Sequence, residues 1–206
     1  MSEPDRFQHW DSVYRTRESD TFSWFQAEPT VTLELVELLG IPHDAAIVDV
    51  GGGASRLVDR LLAADYTDVT VLDLSPAALA VSQARLGDAT DVEWIAEDLL
   101  TWEPARRYDL WHDRAVLHFL SGEDVANYRA LLERSVAPGG CVILGTFAPD
   151  GPEQCSGLPI TRYSAADLVH FLAPTFAVIE ERHELHTTPS GTTQSFAWVA
   201  AKRAFR

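Results

Sequence analysis

Short apolar runs alternate with amphipathic segments through the first two thirds of the chain. Runs that fit buried strands begin at Ile47, Val69, Val92 and Tyr108. Between them, apolar residues recur three and four positions apart, which is the spacing of a helix with one buried face. This alternation of strand and helix predicts an α/β protein with a parallel sheet and helices on both of its faces.

The last third of the chain departs from this alternation. The sequence predicts a tight turn at Pro138-Gly139-Gly140, a strand from Cys141 to Phe147 and then a polar loop. Two further strands, Phe176 to His186 and Thr193 to Lys202, follow a helix near 164–172 and are joined by a short polar turn. A closing hairpin of this kind predicts a final strand that runs antiparallel to its neighbours.

The region before the first strand is aromatic and polar. Residues 1–28 show no clean periodicity, whereas a helix is predicted from about Thr30 to Leu39. Trp24 and Phe25 are large aromatics in a polar, non-periodic segment, which suggests a loop over a pocket. With 206 residues, we expect a single domain in which residues 1–40 form a helical and aromatic lid on a core of 45–206.

A glycine-rich turn follows the first predicted strand. Gly51, Gly52 and Gly53 give the backbone freedom to turn sharply into a helix and leave room for a ligand to approach the main chain. Asp49 lies two residues before them, where a dinucleotide-binding turn normally has an apolar residue. The third glycine of that turn would fall at Arg56. A nicotinamide-dependent dehydrogenase is therefore the weakest of the alternatives.

Two more acidic residues end the next two predicted strands. Asp73 lies twenty residues beyond Gly53, the interval that one strand–helix–strand step needs, and Leu74 follows it. A carboxylate there can accept hydrogen bonds from both hydroxyls of a ribose. The third strand ends in Glu97 and Asp98. Because the carboxyl ends of parallel strands share one edge of a sheet, these acids are expected to lie close together.

The acid followed by Gly-x-Gly, with acids at the next two strand ends, resembles the class I S-adenosylmethionine-dependent methyltransferases over residues 45–147. The resemblance implies a Rossmann-like sheet of seven strands in the order 3-2-1-4-5-7-6, with strand 7 antiparallel. It also implies S-adenosylmethionine as the cofactor. The chain departs from the motif at Ser55, where a third glycine is common, which affects only details of the methionine pocket.

Carried over residue by residue, the resemblance implies that Asp73 holds the ribose and that Asp98 meets the adenine amino group. Ala96 and Leu99 become possible contacts of the adenine ring. The full set of cofactor-binding residues expected is Asp49, Gly51, Gly52, Gly53, Asp73, Leu74, Asp98 and Leu99.

The segment after the fourth strand leaves two classes of acceptor open. Asp113-Arg114-Ala115 is similar to a segment of thiopurine-type thiol methyltransferases and to one of lysine methyltransferases that act on elongation factors and citrate synthase. Trp10-Asp11-x-x-Tyr14 is similar to the lysine enzymes. We expect a small soluble nucleophile, with a thiol or related chalcogen ahead of a protein lysine. A non-catalytic cofactor-binding module is the third alternative.

Candidate acceptor-site residues follow from the chemistry that each acceptor requires. An amine needs a carboxylate or imidazole to remove its proton, whereas a thiol ionises near neutrality. Asp113 and His118 are the catalytic candidates, because His118 falls about one helical turn after Asp113. Arg114 could steer an anionic acceptor. The substrate-side candidates are Trp24, Phe25, Arg114 and Cys155.

Composition excludes several other functions. The net charge of −15 argues against nucleic-acid binding, and Lys202, the only lysine, lies on a predicted terminal strand, away from any site. Cys141 and Cys155 are too few for a disulfide framework or a Cys-x-x-Cys metal site. No metal is expected, and no apolar run is long enough to span a membrane.

The acidic start lacks the features of a signal peptide, so a reducing cytoplasm is expected. The oligomeric state is left open.

Overall fold

The computed structural model describes residues 3–87 and 91–204. The helices are α1 (Glu3–Thr16), α2 (Thr30–Leu39), α3 (Leu57–Ala63), α4 (Pro76–Leu86), α5 (Glu123–Ser135) and α6 (Ala165–Leu172). The strands are β1 (Ile47–Val50), β2 (Val69–Asp73), β3 (Val92–Ala96), β4 (Tyr108–Arg114), β5 (Val136–Phe147), β6 (Gln154–Cys155), β7 (Leu158–Pro159), β8 (Phe176–Thr187) and β9 (Thr193–Arg203). Within these described ranges, none of the helices has the length and hydropathy that a membrane span needs.

Seven strands form one sheet in the order β3-β2-β1-β4-β5-β9-β8. Strands β1 to β5 are parallel, and β9 runs antiparallel to both β5 and β8. The expected order and the antiparallel last strand are therefore confirmed. The short strands β6 and β7 form a separate hairpin in the segment that was expected to be a loop.

Each face of the sheet is covered by helices and carries its own apolar cluster. One cluster packs β-strand side chains such as Trp111 against α5 and α6, and the other packs Ile47 and Trp198 against α2, α3 and α4. Because successive side chains of a strand point to opposite faces, β4 sends His112 toward α2 and Asp113 toward α5. This alternation decides which of the polar residues on β4 lie near the sheet edge where a ligand binds.

The glycine-containing segment before the fifth strand is a bulge inside β5. Val136 already pairs with Tyr108 on β4, and the next pair is Leu110 with Cys141, so the intervening residues are extra. Gly139 adopts a φ of 78°, which a non-glycine residue rarely does. The expectation of a turn that precedes the strand was wrong. Strand β5 already begins at Val136, directly after α5, and the glycines form a bulge within the strand.

The N-terminal region forms a regular helix, although its sequence shows no clean periodicity. On α1, Arg6, Trp10 and Tyr14 are four residues apart, so they share one helix face, and all three line the cavity described below. Asp11 accepts hydrogen bonds from the Ala77 N–H (3.3 Å) and the Ser75 hydroxyl (3.4 Å) at the start of α4. These contacts place α1 across the carboxyl edge of the sheet.

A buried hydrogen-bond network fixes the end of β4. The Tyr128 hydroxyl donates to Asp113 Oδ2 (2.7 Å) and accepts from Trp111 Nε1 (3.0 Å). Asp113 also accepts from the backbone N–H groups of Val116 (2.8 Å) and Leu117 (3.1 Å). Burial raises the pKa of Asp113 to about 6 even with these donors present. Both carboxylate oxygens are thus engaged in holding the turn after β4.

Replacing Tyr128 by Phe tests this network. The change leaves the buried Trp111 N–H without its acceptor and removes one donor from Asp113, so we expect the free energy of unfolding to fall by about 1–3 kcal/mol. Chemical denaturation measures this difference. The matched control is Tyr163→Phe, on a half-buried tyrosine outside the network, which should change stability much less. Equal effects of the two variants would contradict the role given to Tyr128.

Candidate functional site

Two adjoining cavities lie at the carboxyl ends of β1, β2 and β4, beneath α1. The first has a nucleotide end, lined by Leu72, Asp73, Leu74, Glu97, Asp98, Leu99 and Leu100, and an aromatic end, lined by Trp10, Tyr14, Trp24, Ala115, Val116, Phe119 and Cys155. The second, the glycine-turn cavity, is lined by residues that include Phe25, Thr32, Asp49, Gly52, Ser55, Arg56 and His112. Gly51 and Arg114 border both cavities.

The glycines of the turn are required by the packing of the protein itself. Gly51 has a φ of 69°, and a Cβ there would lie 2.3 Å from Val116 Cγ2. A Cβ on Gly53 would lie 2.5 Å from Asp73 Oδ2. A side chain at either position therefore meets protein atoms first, so the room expected for a ligand is not the primary reason for these glycines. Gly51 lines both cavities, whereas Gly53 lines neither and packs against the carboxylate of Asp73.

Asp73 is a buried carboxylate with unused acceptor capacity. Its Oδ1 accepts from the Ser75 N–H (2.8 Å). Burial raises the pKa of Asp73 to about 7, and the nearby charge of Asp49 adds to this increase. The group is therefore only partly ionised near neutrality in the free protein, and a ligand that donates hydrogen bonds to it favours the ionised form.

Asp49 is held by a histidine that the sequence did not single out for this role. His112 Nδ1 lies 2.7 Å from Asp49 Oδ1, and His112 Nε2 lies 3.1 Å from the Thr32 hydroxyl. Asp49 Oδ2 is buried and has no hydrogen-bond partner among the residues described. Asp49 lines the glycine-turn cavity, so this oxygen is a candidate acceptor for a donor group of a ligand.

Asp98 is paired with an arginine on α1. Its Oδ1 accepts from the Leu100 N–H (2.9 Å), and its Oδ2 lies 3.0 Å from Arg6 Nη2. Arg6 also contacts Asp124 on α5 (3.2 Å). Sequence reasoning missed Arg6, although its spacing from Trp10 could have placed it on the same helix face. The Arg6–Asp98 ion pair holds α1 over the nucleotide end of the cavity.

The aromatic end is enclosed by rings from α1 and from the loop after it. Trp24 stacks on Phe22 with ring centroids 4.5 Å apart, and Trp10 lies edge-on to Trp24 (5.9 Å) and to Phe119 (5.2 Å). The prediction that Trp24 lies over a pocket agrees with this placement. Cys155 reaches the same end from the β6–β7 hairpin, and burial raises the pKa of its thiol to about 12. Its thiol is therefore protonated at neutral pH.

Arg114 brings a positive charge to the boundary between the two cavities. It is half-buried, Nη1 donates to the Trp24 carbonyl (2.8 Å), and the guanidinium lies 4.5 Å from the centroid of the Phe196 ring. Nε and Nη2 are buried without a hydrogen-bond partner in the described part of the chain. Burial lowers the pKa of Arg114 to about 10, so the group remains charged at neutral pH.

The two residues expected to act as proton acceptors do not line either cavity. Asp113 points under α5, where its oxygens are engaged as described above. His118 is fully buried against the rings of Phe119 and Phe147. Burial and the nearby Arg114 lower the pKa of His118 to about 3, so its ring is neutral. These positions correct the expected catalytic roles, because strand alternation and the short helical turn direct both side chains into the core.

The remaining candidates divide between the two cavities. Leu74, Leu99 and Cys155 line the first, and Phe25 lines the second. Ala96, an expected ring contact, is exposed and lines neither. Among residues 3–87 and 91–204, no cluster of three or more His, Cys, Asp or Glu residues could hold a metal ion.

Comparisons with known proteins agree with this site. A family described as "Methyltransferase domain" matches residues 48–142. The chain is 28% identical to "Probable thiol methyltransferase 2" of Arabidopsis thaliana, covering 76% of this chain and 69% of that one. It is 32% identical to "EEF1A lysine methyltransferase 2" of Mus musculus, covering 38% and 36%. For several other curated relatives, the match spans about half of their length or less.

The fold is also that of solved methyltransferases. The structure of the N-methyltransferase NodS from Bradyrhizobium japonicum in complex with S-adenosylhomocysteine matches with a TM-score of 0.70 at 16% identity, covering 95% of this chain and 98% of that one. The sheet order and the acids at the strand ends thus define a methyltransferase domain. The comparisons support a class I S-adenosylmethionine-dependent methyltransferase, and the solved NodS structure holds S-adenosylhomocysteine, the demethylated form of that cofactor.

The residues present fit this cofactor, which offers an ammonium group, two ribose hydroxyls and an adenine amino group as hydrogen-bond donors. We propose that Asp73 holds the hydroxyls and that Asp98 accepts from the adenine amino group. Asp49 Oδ2, the buried oxygen without a partner, suits the ammonium group. Leu74 and Leu99 line the nucleotide end beside these acids. When bound, the cofactor supplies a methyl group that is activated on a sulfonium.

The raised pKa of Asp73 predicts a pH-dependent affinity for S-adenosylhomocysteine. Only the ionised carboxylate accepts from both hydroxyls, so binding must displace a proton below the pKa of about 7. The dissociation constant should rise about tenfold for each unit of pH below this value and level off above it. Calorimetry between pH 5 and 8.5 measures this. Asp73→Asn, which has no proton to lose, should remove the dependence, and a wild-type affinity that does not vary with pH would contradict the assignment.

Proposed function

We propose that the chain methylates a small soluble nucleophile, with a thiol or related chalcogen ahead of an amine. The observation that carries this proposal is the aromatic end of the first cavity, which is enclosed by rings and presents no side chain suited to removing a proton among the residues described. Enclosure favours a small acceptor, and the missing base favours an acceptor that ionises by itself.

Enclosure follows from three attachments of α1. Arg6 pairs with Asp98, Asp11 accepts from the start of α4, and His9 Nε2 lies 3.2 Å from the hydroxyl of Ser156 at the tip of the β6–β7 hairpin. The helix thereby joins both sides of the cavity, and Trp10 fills the space beneath it. An acceptor carried on a folded protein would have to insert its side chain past this helix, whereas a small molecule can be enclosed.

The absence of a base follows from the positions of the titratable groups. Among the side chains named above for the aromatic end, only Tyr14 and Cys155 are weak acids, and burial raises the pKa of both. Both are therefore already protonated at neutral pH, and neither can accept a proton from an acceptor. Asp113 and His118 are in the core. An amine is protonated near neutrality and needs a base before it can attack, whereas a thiol loses its own proton to water.

Two alternatives stay open. Protein lysine methylation is supported by the match to a lysine methyltransferase, and the net charge of −15 would attract a basic protein. A non-catalytic cofactor-binding module is the weaker alternative, because the matching family and the relatives in the comparisons are methyltransferases. The division into a lid of residues 1–40 and a core of 45–206, within one domain, is part of this proposal.

A methyl-transfer screen tests the function. The full chain is incubated with radiolabelled S-adenosylmethionine and with thiophenol, phenylmethanethiol, hydrosulfide, small amines or a protein lysate. We expect label in small thioethers. Asp73→Ala should weaken cofactor binding by about 2–4 kcal/mol, whereas Asp44→Ala, on an exposed aspartate, should act like the wild type. Label found only in a precipitable protein band, with no turnover of any thiol, would contradict the thiol proposal and favour lysine methylation.

A further inference from the structure

Arg114 is a half-buried cation with which no residue in the described part of the chain forms a salt bridge. Its one polar contact is the Trp24 carbonyl, and two of its nitrogens have no partner within the described residues. No carboxylate of residues 6–87 and 91–204 lies within 4.0 Å of its guanidinium. A buried charge without an opposite charge costs free energy, so the position is suited to an anion that arrives with a ligand.

The groups that surround Arg114 are already engaged or uncharged. Glu184 accepts from Gln26 Nε2 (2.9 Å) and from Trp198 Nε1 (2.9 Å), and Asp49 is held by His112. The remaining neighbours that sense its charge are the Cys155 thiol and the imidazoles of His118 and His186. Burial raises the pKa of the thiol and lowers the pKa of both imidazoles, so these three groups are neutral near pH 7. Glu184 and Asp49 attract Arg114 from beyond salt-bridge distance, and none of these groups occupies the hydrogen-bonding positions that Nε and Nη2 of the guanidinium leave free.

The cofactor makes the imbalance larger. Its sulfonium is a second positive charge, bound in a cavity that Arg114 borders. A protonated amine would add a third positive charge, whereas an anion attracts both cations. The electrostatics of the aromatic end therefore select the ionised form of the acceptor.

We propose that Arg114 binds the acceptor as its anion, with the reacting thiolate paired to the guanidinium. This inference rests on the proposed thiol methylation. The thiol loses its proton to solvent before it is enclosed, and direct pairing of the thiolate with the guanidinium offsets the desolvation that keeps the unpaired Cys155 thiol protonated at the same end. The thiolate sulfur then forms a bond to the methyl carbon while the bond between that carbon and the sulfonium sulfur breaks. The electron pair of the broken bond stays on the leaving sulfur, and no base within the protein is required.

The test uses the full chain and phenylmethanethiol, an aralkyl thiol that is mostly protonated at pH 7. Single-turnover rates at saturating thiol are measured against pH for the wild type and for Arg114→Gln and Arg114→Lys. The matched control is Arg162→Gln, on an arginine of the surface that lies outside both cavities. Affinity for S-adenosylhomocysteine and melting temperature are measured for each variant.

In Arg114→Gln, we expect the acidic limb of the rate profile to move to higher pH by at least about one unit. The rate at pH 7 should therefore be at least about tenfold lower than that of the wild type. Arg114→Lys, which keeps the charge, should shift the limb by a smaller amount, and Arg162→Gln should not shift it. Affinity for S-adenosylhomocysteine should be unchanged, and the melting temperature of Arg114→Gln should not fall, because the substitution removes an uncompensated buried charge.

Three results would overturn the inference. A profile in Arg114→Gln that matches the wild type, with weakened binding of S-adenosylhomocysteine, would assign Arg114 to the carboxylate of the cofactor. A loss confined to 4-(mercaptomethyl)benzoate, with phenylmethanethiol unaffected, would assign it to a remote carboxylate of the acceptor. An Arg114→Lys profile as displaced as that of Arg114→Gln would show that charge is not what matters. If the wild type methylates no thiol at all, the proposed function itself fails, which the first screen distinguishes.

Discussion

Asp49, Asp73 and part of the Arg114 guanidinium are buried at one edge of one sheet, and a buried charged group is tolerated only when it is hydrogen-bonded or balanced. Much of the surrounding structure meets this requirement. His112 and Thr32 hold one oxygen of Asp49, and the start of α4 donates to Asp73. What the fold leaves unsatisfied, namely Asp49 Oδ2 and two nitrogens of Arg114, belongs to residues that line the two cavities. The binding site is therefore the part of the interior whose electrostatics a ligand completes.

The glycine turn belongs to the same constraint. Side chains on Gly52 or Gly53 would collide with the carboxylates of Asp49 or Asp73, so the turn must be free of Cβ atoms for the acids to occupy their positions at all. The spacing of acid and glycine in the sequence thus records how tightly the loop packs against the acids, in addition to any approach of a cofactor. For this reason, the glycine turn after β1 and the acid at the end of β2 were sufficient to predict that the carboxyl ends of these two strands lie next to each other.

Strand–helix alternation and the closing hairpin are local signals that predicted the strands and helices, and the order of the seven strands was expected from the resemblance to the methyltransferases. The acids at the strand ends were expected to lie together because parallel strands share their carboxyl edge. The sequence did not predict the roles of neighbouring residues on β4. Asp113 and Arg114 are adjacent, yet the alternation of the strand sends one under α5 and leaves the other at the cavities. Such a choice depends on the register of the strand against its neighbours. Arg6 was missed because its partner, Asp98, is 92 residues away.

The same edge of the sheet accounts for both the enclosure and the acceptor. Arg6 on α1 is paired with Asp98, the residue that we propose accepts from the adenine amino group. In that proposal, the helix over the aromatic end and the ligand at the nucleotide end would share one carboxylate, and the position of the helix would be coupled to binding. Closure excludes water, and excluding water strengthens the attraction between Arg114 and an anion at the aromatic end. A cation in an open, hydrated cleft would discriminate weakly between a thiol and its thiolate. In the proposed function, the cover that α1 provides is therefore what would allow a single arginine to select the ionised acceptor.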